Sequence, residues 1–215
     1  MSIRIAIVDD HVLARAGYRF MFAPYPEFEI VAEGGSGEDA LRIARDLKPD
    51  VMLLDVSMPG ISGIEVTQRL AKGASDVRIA IVTMHGNGPL PRLLLDAGAH
   101  GFLTKDCEAS ELIEAVRRIA RGERYLAAAI AQQLALAKAN GKSSPLDLLT
   151  ARELEVALLF GRGARATEIA TRLHISEKTV HTYKSRIYAK LEIHSEAGLT
   201  LALVRQGLLS EVSGL

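Results

Sequence analysis

Residues 3–10 read IRIAIVDD, an apolar run that ends directly at Asp9 and Asp10. Three later runs of the same kind each end at one polar residue: VMLL at Asp55, IAIV at Thr83 and GFLT at Lys105. Short apolar runs separated by helical patterns are typical of parallel strands that are buried on both faces. The sequence therefore predicts an α/β domain whose strand ends carry chemically active side chains.

The first 122 residues contain five such strand–helix units, and this alternation predicts a doubly wound, five-stranded parallel sheet. The predicted strands are Ile3–Val8, Phe28–Ala32, Val51–Leu54, Ile79–Thr83 and Gly101–Leu103. The predicted helices lie near Val12–Phe22, Glu38–Leu47, Ile64–Lys72, Arg92–Ala97 and Ser110–Arg121.

The polar residues at the strand ends are predicted to converge, because ligands of an open α/β sheet bind at its carboxyl edge. Asp9, Asp10 and Asp55 would repel one another there and need a cation, and oxygen-only ligands suit Mg²⁺. Asp55 has no acidic neighbour in sequence, and an isolated carboxylate can act as a nucleophile that forms an acyl phosphate. Thr83 and Lys105 would then contact the phosphoryl oxygens. The alternative is that these residues only cap the helices that follow them.

The pattern changes after Gly122. Residues 126–139 are rich in Ala, Leu and Gln and predict a helix, and NGKSSP at residues 140–145 predicts a flexible linker. From Leu146 onward only helices are predicted. We therefore expect a first domain at residues 1–122, a helical and flexible connecting segment at 123–145 and an all-α domain at 146–215.

A helix predicted at residues 177–191 follows another helix and a short connector, which is the order of a helix-turn-helix. Val180, Ile187 and Leu191 form its predicted core stripe. The remaining short polar and basic side chains suit the major groove of double-stranded DNA. Base edges would be contacted by His181, Thr182 and Ser185, and phosphates by Lys178, Thr179, Lys184 and Lys190. The alternative is a charged face that only meets solvent.

The composition limits the partners and the compartment. Lys and Arg together number 26, as do Asp and Glu, so the net charge indicates no partner. Residues 172–190 hold five Lys or Arg residues against one acid, which indicates a polyanion site. The single cysteine, Cys107, excludes an intrachain disulfide framework. With neither a signal peptide nor a membrane-length apolar run in the sequence, we expect a cytoplasmic protein without a membrane partner.

These motifs together resemble two-component response regulators of the NarL/FixJ type. The N-terminal part is similar to a flavodoxin-like receiver domain in its Asp9-Asp10 pair, LDVSMPG at residues 54–60, Thr83 and FLTK at residues 102–105. The C-terminal part is similar to a LuxR-type helix-turn-helix in LTARE at 149–153, EIA at 168–170 and SEKTV at 176–180. AQQLALAK at 131–138, DLL at 147–149 and TY at 182–183 further resemble the Gac/Uvr-type global activators.

The resemblance implies a role for most of these residues. Asp55 would accept a phosphoryl group from a sensor histidine kinase, with Mg²⁺ held by Asp9, Asp10, Asp55 and the backbone carbonyl of Ser57. Thr83, Lys105 and the switch aromatic Phe102 would carry the change to the domain surface. The second domain would bind promoter DNA as a homodimer, since one small helix-turn-helix recognises few base pairs. Its candidate dimer helix is Glu196–Arg205, although packing within the domain must use part of the same surface.

Two other classes of function stay open at this point. An aspartyl-phosphate hydrolase would need a second Asp two residues after its nucleophile, where this chain has Ser57. A phosphorylation-independent DNA-binding regulator would use the first domain only as a dimerisation scaffold. The complete set of Asp9, Asp10, Asp55 and Lys105 argues against that scaffold. We therefore expect a regulator of transcription rather than an enzyme.

Overall fold

The computed structural model describes residues 2–56, 58, 60–73, 75–84, 86, 88–139, 145–173, 175–206 and 208–209. The chain divides into two compact units, and the main division falls between Gln133 and Leu134. Each unit has its own set of strands or helices. Among the described residues, no helix combines the length and the apolar character needed to cross a membrane.

The N-terminal unit is a parallel sheet flanked by helices. Its strands are β1 (Ile3–Val8), β2 (Phe28–Gly34), β3 (Val51–Leu54), β4 (Arg78–Thr83), β5 (Gly101–Thr104) and β6 (Tyr125–Leu126). Its helices are α1 (Val12–Phe22), α2 (Gly37–Asp46), α3 (Gly63–Lys72), α4 (Leu90–Asp96) and α5 (Ala109–Ala120). The strand order is β2-β1-β3-β4-β5-β6 and every pairing is parallel, which confirms the doubly wound fold.

The prediction of five strands was incomplete, because β6 extends the sheet beyond Gly122. The sequence predicted Tyr125 in the connecting segment and Leu126 in a helix. In the structure these two residues pair with Gly101 and Phe102 of β5. Tyr125 N donates to the carbonyl of His100 at 3.0 Å, and Ala127 N donates to that of Phe102 at 3.2 Å. A two-residue strand is too short to show a period of two, so the hydrophobic pattern could not indicate it.

The sheet is the core of this unit, as its continuous apolar runs predicted. Ile5, Ile7 and Leu53 are at most 1% exposed. Helix α5 buries Leu112, Ile113, Val116 and Ile119 in the same core, because residues at these spacings share one helix face. Burial of apolar area at about 25 cal/mol per Å² is the main driving force for this packing.

Close backbone contacts hold the loop that follows β3. A Cβ on Gly63, the first residue of α3, would lie 2.3 Å from the carbonyl oxygen of Asp55. A Cβ on Gly37, the first residue of α2, would lie 2.0 Å from the carbonyl oxygen of Ile61. Only glycine allows these approaches, so both helix starts pack directly against the segment that carries Asp55.

The C-terminal unit is helical. Helix α6 (Ala128–Ala139) contains the division after Gln133. A 3₁₀ turn at Pro145–Leu148 follows, and then come α7 (Ala151–Gly161), α8 (Ala166–Arg172), α9 (Glu177–Leu191) and α10 (Glu196–Arg205). Of the predicted linker at residues 140–145, residues 140–144 lie outside the described residues, and Pro145 begins the 3₁₀ turn. Thr150 and Glu153 form the capping box that opens α7, and Ser176 caps α9 through the backbone N–H of Thr179.

Helix α9 packs against α7 and α8 through the predicted stripe. Val180 and Ile187 are fully buried, and Leu191 is half-buried. Helix α10 packs on α7 and buries Leu199 and Leu203. Packing within the domain therefore takes one side of the candidate dimer helix and leaves its other side exposed.

Candidate functional site: an acidic pocket and an exposed helix face

The strand ends of the N-terminal unit converge as the sequence predicts. Lys105 Nζ lies 2.6 Å from Asp9 Oδ2 and 3.1 Å from Asp55 Oδ2. The side chains of Asp9 and Asp55 are only 2% and 3% exposed. One ammonium thus bridges two buried carboxylates from β1 and β3, and a single charge partner is shared between them.

Four side chains at this edge could hold a metal ion. One ligand atom each from Asp9, Asp10, His11 and Asp55 lies within 4.8 Å of the other three. The carboxylate oxygens are the donors that Mg²⁺ prefers, whereas an imidazole nitrogen suits transition metals better. Their chemistry and separation therefore fit a Mg²⁺ site formed by the carboxylates.

His11 was not among the residues predicted for this pocket. The turn after β1 brings it into the pocket, since His11 N donates to Asp9 Oδ1 at 2.9 Å. Its Nδ1 lies 3.1 Å from Asp9 Oδ1 and 2.9 Å from Asp10 Oδ1. The available signal was its position directly after two acidic residues at a strand end.

Burial and charge act in opposite directions on the pocket. Burial raises the pKa of Asp55, and Asp9 adds to this, while Lys105 and the Val56 N–H oppose it. Burial lowers the pKa of Lys105, but its bonds to Asp9 and Asp55 outweigh burial and raise it overall. Burial also raises the pKa of the neighbouring Tyr18 hydroxyl. The pocket thus combines a firmly charged ammonium with carboxylates that repel each other.

Thr83 and Phe102 lie diagonally across the β4–β5 pair, since Phe102 pairs with Ile81. Thr83 pairs with Thr104, and Phe102 is two residues before Thr104, so both side chains are on the same sheet face. Thr83 is 1% exposed and Phe102 is fully buried. Because Phe102 has no hydroxyl, packing is its means of coupling to Thr83. Ser57 lies outside the described residues, so its predicted carbonyl contact has no structural counterpart here.

Cys107, the residue two positions after Lys105, has a thiol whose ionisation is disfavoured by its surroundings. Burial raises its pKa to about 11, and Glu111 and Asp106 add to the increase. Since the thiolate is the reactive form, the raised pKa lowers the reactivity expected of this thiol at neutral pH.

Helix α9 presents one continuous exposed face opposite its buried stripe. The face consists of the exposed residues Lys178, His181, Thr182, Ser185, Arg186 and Ala189. We call it the α9 face. Sequence reasoning did not select Ala189, although its position four residues after Ser185 indicates the same side of the helix.

Two of the lysines predicted to contact phosphates have ion-pair partners within the domain. Lys190 Nζ lies 2.6 Å from Glu153 Oε2, whose side chain is 4% exposed. Lys184 pairs with Glu196 and lies 4.9 Å from the ring centroid of Phe160. Both lysines flank the buried stripe, being three residues from Ile187 on either side. That spacing was the signal that they belong to the packed side of α9.

Thr179 also belongs to the helix start. Its Oγ1 lies 2.7 Å from Ser176 Oγ, and its backbone N–H donates to the same Ser176 oxygen. Its hydroxyl is therefore already part of the N-cap of α9.

Comparison with known proteins identifies the class of this molecule. Residues 5–117 match the family model described as response regulator receiver domain, and residues 147–203 match the bacterial regulatory proteins of the luxR family. The chain therefore belongs to the two-component response regulators that join a receiver to a LuxR-type DNA-binding domain. This class consists of transcription regulators and not of enzymes.

Two relatives match nearly end to end. Response regulator GacA of Pseudomonas aeruginosa is 40% identical over 213 residues, which cover 98% of this chain and 100% of the relative. Response regulator UvrY of Escherichia coli strain K12 is 40% identical over 208 residues, which cover 96% and 95%. The resemblance to the Gac/Uvr type is confirmed.

One solved structure relates the fold to a DNA complex. RcsB of Salmonella enterica serovar Typhimurium, bound to promoter P1flhDC in the presence of the phosphomimetic BeF3-, is 25% identical with a TM-score of 0.77. The match covers 95% of this chain and 100% of the RcsB chain.

Proposed function

We propose that this response regulator accepts a phosphoryl group on Asp55 from a sensor histidine kinase and then binds promoter DNA as a homodimer. The observation that carries the proposal is the bridge from Lys105 Nζ to Asp9 and Asp55. It places a buried nucleophilic carboxylate beside the cation that a phosphoryl group needs. The P–N bond of the kinase phosphohistidine breaks as the P–O bond to Asp55 forms, and the electron pair returns to the imidazole.

We propose that Asp9, Asp10 and Asp55 hold Mg²⁺ together with the backbone carbonyl of Ser57. When bound, this ion would offset the negative charge that gathers on the transferring phosphoryl group. Asp55 attacks, Asp10 and Asp9 act as ligands only, and Lys105 turns from Asp55 to the phosphoryl oxygens. Thr83 follows by hydrogen-bonding to one of those oxygens, and Phe102 repacks against it.

We propose three functional parts of the chain. Residues 1–122 form the receiver, whose sheet is completed by Tyr125–Leu126. Residues 123–145 connect it to the DNA-binding domain at residues 146–215. The exposed α10 residues Ala197 and Leu201 support the proposal of a dimer through α10, because packing on α7 leaves them uncovered. We propose a cytoplasmic location, which a DNA partner would support.

The α9 face is the proposed DNA-contacting surface. His181, Thr182 and Ser185 would contact base edges, and Lys178 and Arg186 would contact phosphates. Thr179, Lys184 and Lys190 would support this surface from within the domain, since their polar atoms already have partners there.

The Lys105→Ala variant should accept a phosphoryl group and yet gain no affinity for DNA. The ammonium pairs with the phosphoryl charge after transfer, so its loss removes the response and leaves the Asp55 nucleophile in place. Intact mass would measure phosphorylation, and a DNA titration would measure affinity before and after. A variant that gains as much affinity as the wild type would contradict the assignment.

Lys178→Ala and Lys184→Met should differ in salt dependence. Lys178 is exposed on the α9 face, so its loss should lower the salt slope of DNA binding by about one. Lys184 is paired with Glu196, and its loss should leave the slope unchanged. Salt titrations on a nonspecific duplex would measure both slopes. Equal slope changes would show that Lys184 leaves Glu196 for a phosphate.

The proposed function is tested with the full-length protein, a small-molecule phosphodonor and Mg²⁺. We expect one stable phosphoryl adduct by intact mass and tighter DNA binding by the modified protein. Absence of an adduct with unchanged DNA binding would favour the scaffold. Continuous consumption of the donor without an accumulating adduct would favour the hydrolase.

A further inference from the structure

We propose that Thr182 and Ser185 recognise DNA as hydrogen-bond acceptors, and that their ligands are the exocyclic amino groups of adenine or cytosine. The inference rests on the proposed role of the α9 face and adds to it the kind of base atom that these residues select. It comes from the direction in which both hydroxyl groups donate within the helix.

Each hydroxyl proton is already used. Thr182 Oγ1 donates to the carbonyl of Lys178 at 2.9 Å, and Ser185 Oγ donates to the carbonyl of His181 at 3.1 Å. A hydroxyl has one proton and two lone pairs, so both oxygens keep acceptor capacity and have no second proton to give. Because both side chains are exposed, that capacity is available to a ligand in the groove.

Donating to a base would require each hydroxyl to give up its bond to the preceding turn. Accepting from a base requires no such loss. The net value of one hydrogen bond is about 1 kcal/mol, which decides between two otherwise similar contacts. The acceptor role is therefore the favoured one at both positions.

The major groove offers few donors to such an acceptor. They are the N6 amino group of adenine and the N4 amino group of cytosine, while N7, O6 and O4 are acceptors. Thr182 and Ser185 are three residues apart on one helix face, so they are separated by about 4.5 Å along the axis. This is comparable to a base-pair step of about 3.4 Å. The pair thus fits amino groups on adjacent base pairs.

The cationic members of the α9 face have the opposite polarity. Lys178 and Arg186 carry only donors, and the phosphate oxygens proposed as their partners are acceptors. The face therefore places base-reading acceptors between phosphate-binding donors, so that a base presenting an acceptor to Thr182 or Ser185 would oppose acceptor to acceptor. Such repulsive pairings contribute to specificity as much as the attractive ones.

The test uses single-atom changes in DNA. A site is first selected from a random pool with the phosphorylated full-length protein. Each adenine is then replaced by purine, which lacks the 6-amino group, or by 7-deazaadenine, which lacks N7. Each cytosine is replaced by its analogue without the 4-amino group. Binding is measured for the wild type, Thr182→Val and Ser185→Ala. Thr200→Val is the matched control, since Thr200 Oγ1 donates in the same way to the carbonyl of Glu196 on α10.

We expect loss of one amino group to weaken wild-type binding about five- to tenfold, and to have no further effect in Thr182→Val. Loss of a second amino group should weaken wild-type binding by a similar factor and have no further effect in Ser185→Ala. The Thr200→Val protein should respond as the wild type does. Removal of N7 should change the binding affinity of the wild type and of both variants by the same factor.

Two outcomes would overturn the inference alone, and a third would overturn the proposed function together with it. If the Thr182-dependent affinity disappears with N7, the hydroxyl acts as a donor. If removal of an amino group weakens binding by the same factor in the wild type and both variants, neither hydroxyl contacts such a group. If the pool yields no preferred sequence at all, the proposed function itself fails and the inference fails with it.

Discussion

The Asp55→Asn protein should take up no phosphoryl group under conditions that fully modify the wild type. The amide has the same size as the carboxylate and can still accept the hydrogen bond from Val56 N, which is 2.7 Å long. It has no anionic oxygen to attack phosphorus, so the nucleophile alone is removed. Intact mass after incubation with a phosphodonor and Mg²⁺ would measure the loss.

A stability measurement separates this result from misfolding. Burial raises the pKa of Asp55, which means that the fold disfavours its ionised form. Without metal, the wild type therefore loses stability as pH rises through the pKa of Asp55, whereas an asparagine cannot ionise. We expect Asp55→Asn to be at least as stable as the wild type at neutral pH, with a difference that grows as pH rises from 3.8 through the raised pKa of Asp55 and is constant above it.

Two carboxylate variants serve as controls. Asp10→Asn should keep the acceptor but need more Mg²⁺ for modification. Asp96→Asn, at a 72% exposed position on α4, should behave as the wild type. An adduct of undiminished yield on Asp9 or Asp10 in the Asp55→Asn protein would show that the acceptor was assigned wrongly.

The second large effect is a loss of folding stability, which we expect for the Lys190→Met protein. Glu153 is buried, and its Oε2 accepts from Thr150 N at 2.8 Å and from Lys190 Nζ. Removing one partner of a buried ion pair costs about 3–5 kcal/mol of folding stability. Because Lys190 is itself 36% exposed, solvent screens the pair, and we expect a loss of about 2 kcal/mol. Amide hydrogen exchange in α7 and α9 of the full-length protein would measure the loss. Lys178→Met, at an exposed position of the same helix, should change little.

The pH dependence identifies the cause of that loss. Burial raises the pKa of Glu153, but Lys190 and Thr150 outweigh burial and lower it overall from 4.5. The wild-type contribution is therefore present above pH 4.5 and is lost as pH falls through the lowered value. Without Lys190, burial dominates, and Glu153 protonates at a higher pH than before. The deficit of Lys190→Met should thus be largest near neutrality and shrink as the pH approaches 4.5.

A second substitution should restore the stability. In the Lys190→Met background, Glu153→Gln removes the unpaired charge and keeps an oxygen for Thr150 N, so most of the loss should be recovered. A deficit that is independent of pH and not recovered would mean that Lys190 stabilises the domain only through the packing of its alkyl chain.

Local sequence patterns were sufficient for the sheet and for most of the pocket. All five predicted strands and their helices lie within two residues of their predicted bounds, because a strand buried on both faces needs an unbroken apolar run. Asp9, Asp55 and Lys105 meet because parallel strands end at one edge of a sheet. The caps at Thr150 and Ser176 follow from bonds that span only three residues.

Sequence by itself thus determined the strand and helix order, the convergence of the pocket and the buried stripe of α9, since each depends on residues close in sequence or on a general rule of parallel sheets. Tertiary structure alone decided the pairing of β6 with β5 and the partners of Lys184 and Lys190. A two-residue strand has no periodicity, and a lysine on a helix flank carries no local sign of its partner. Lys190 and Glu153 are 37 residues apart, so only the packing of α9 against α7 brings their charges together.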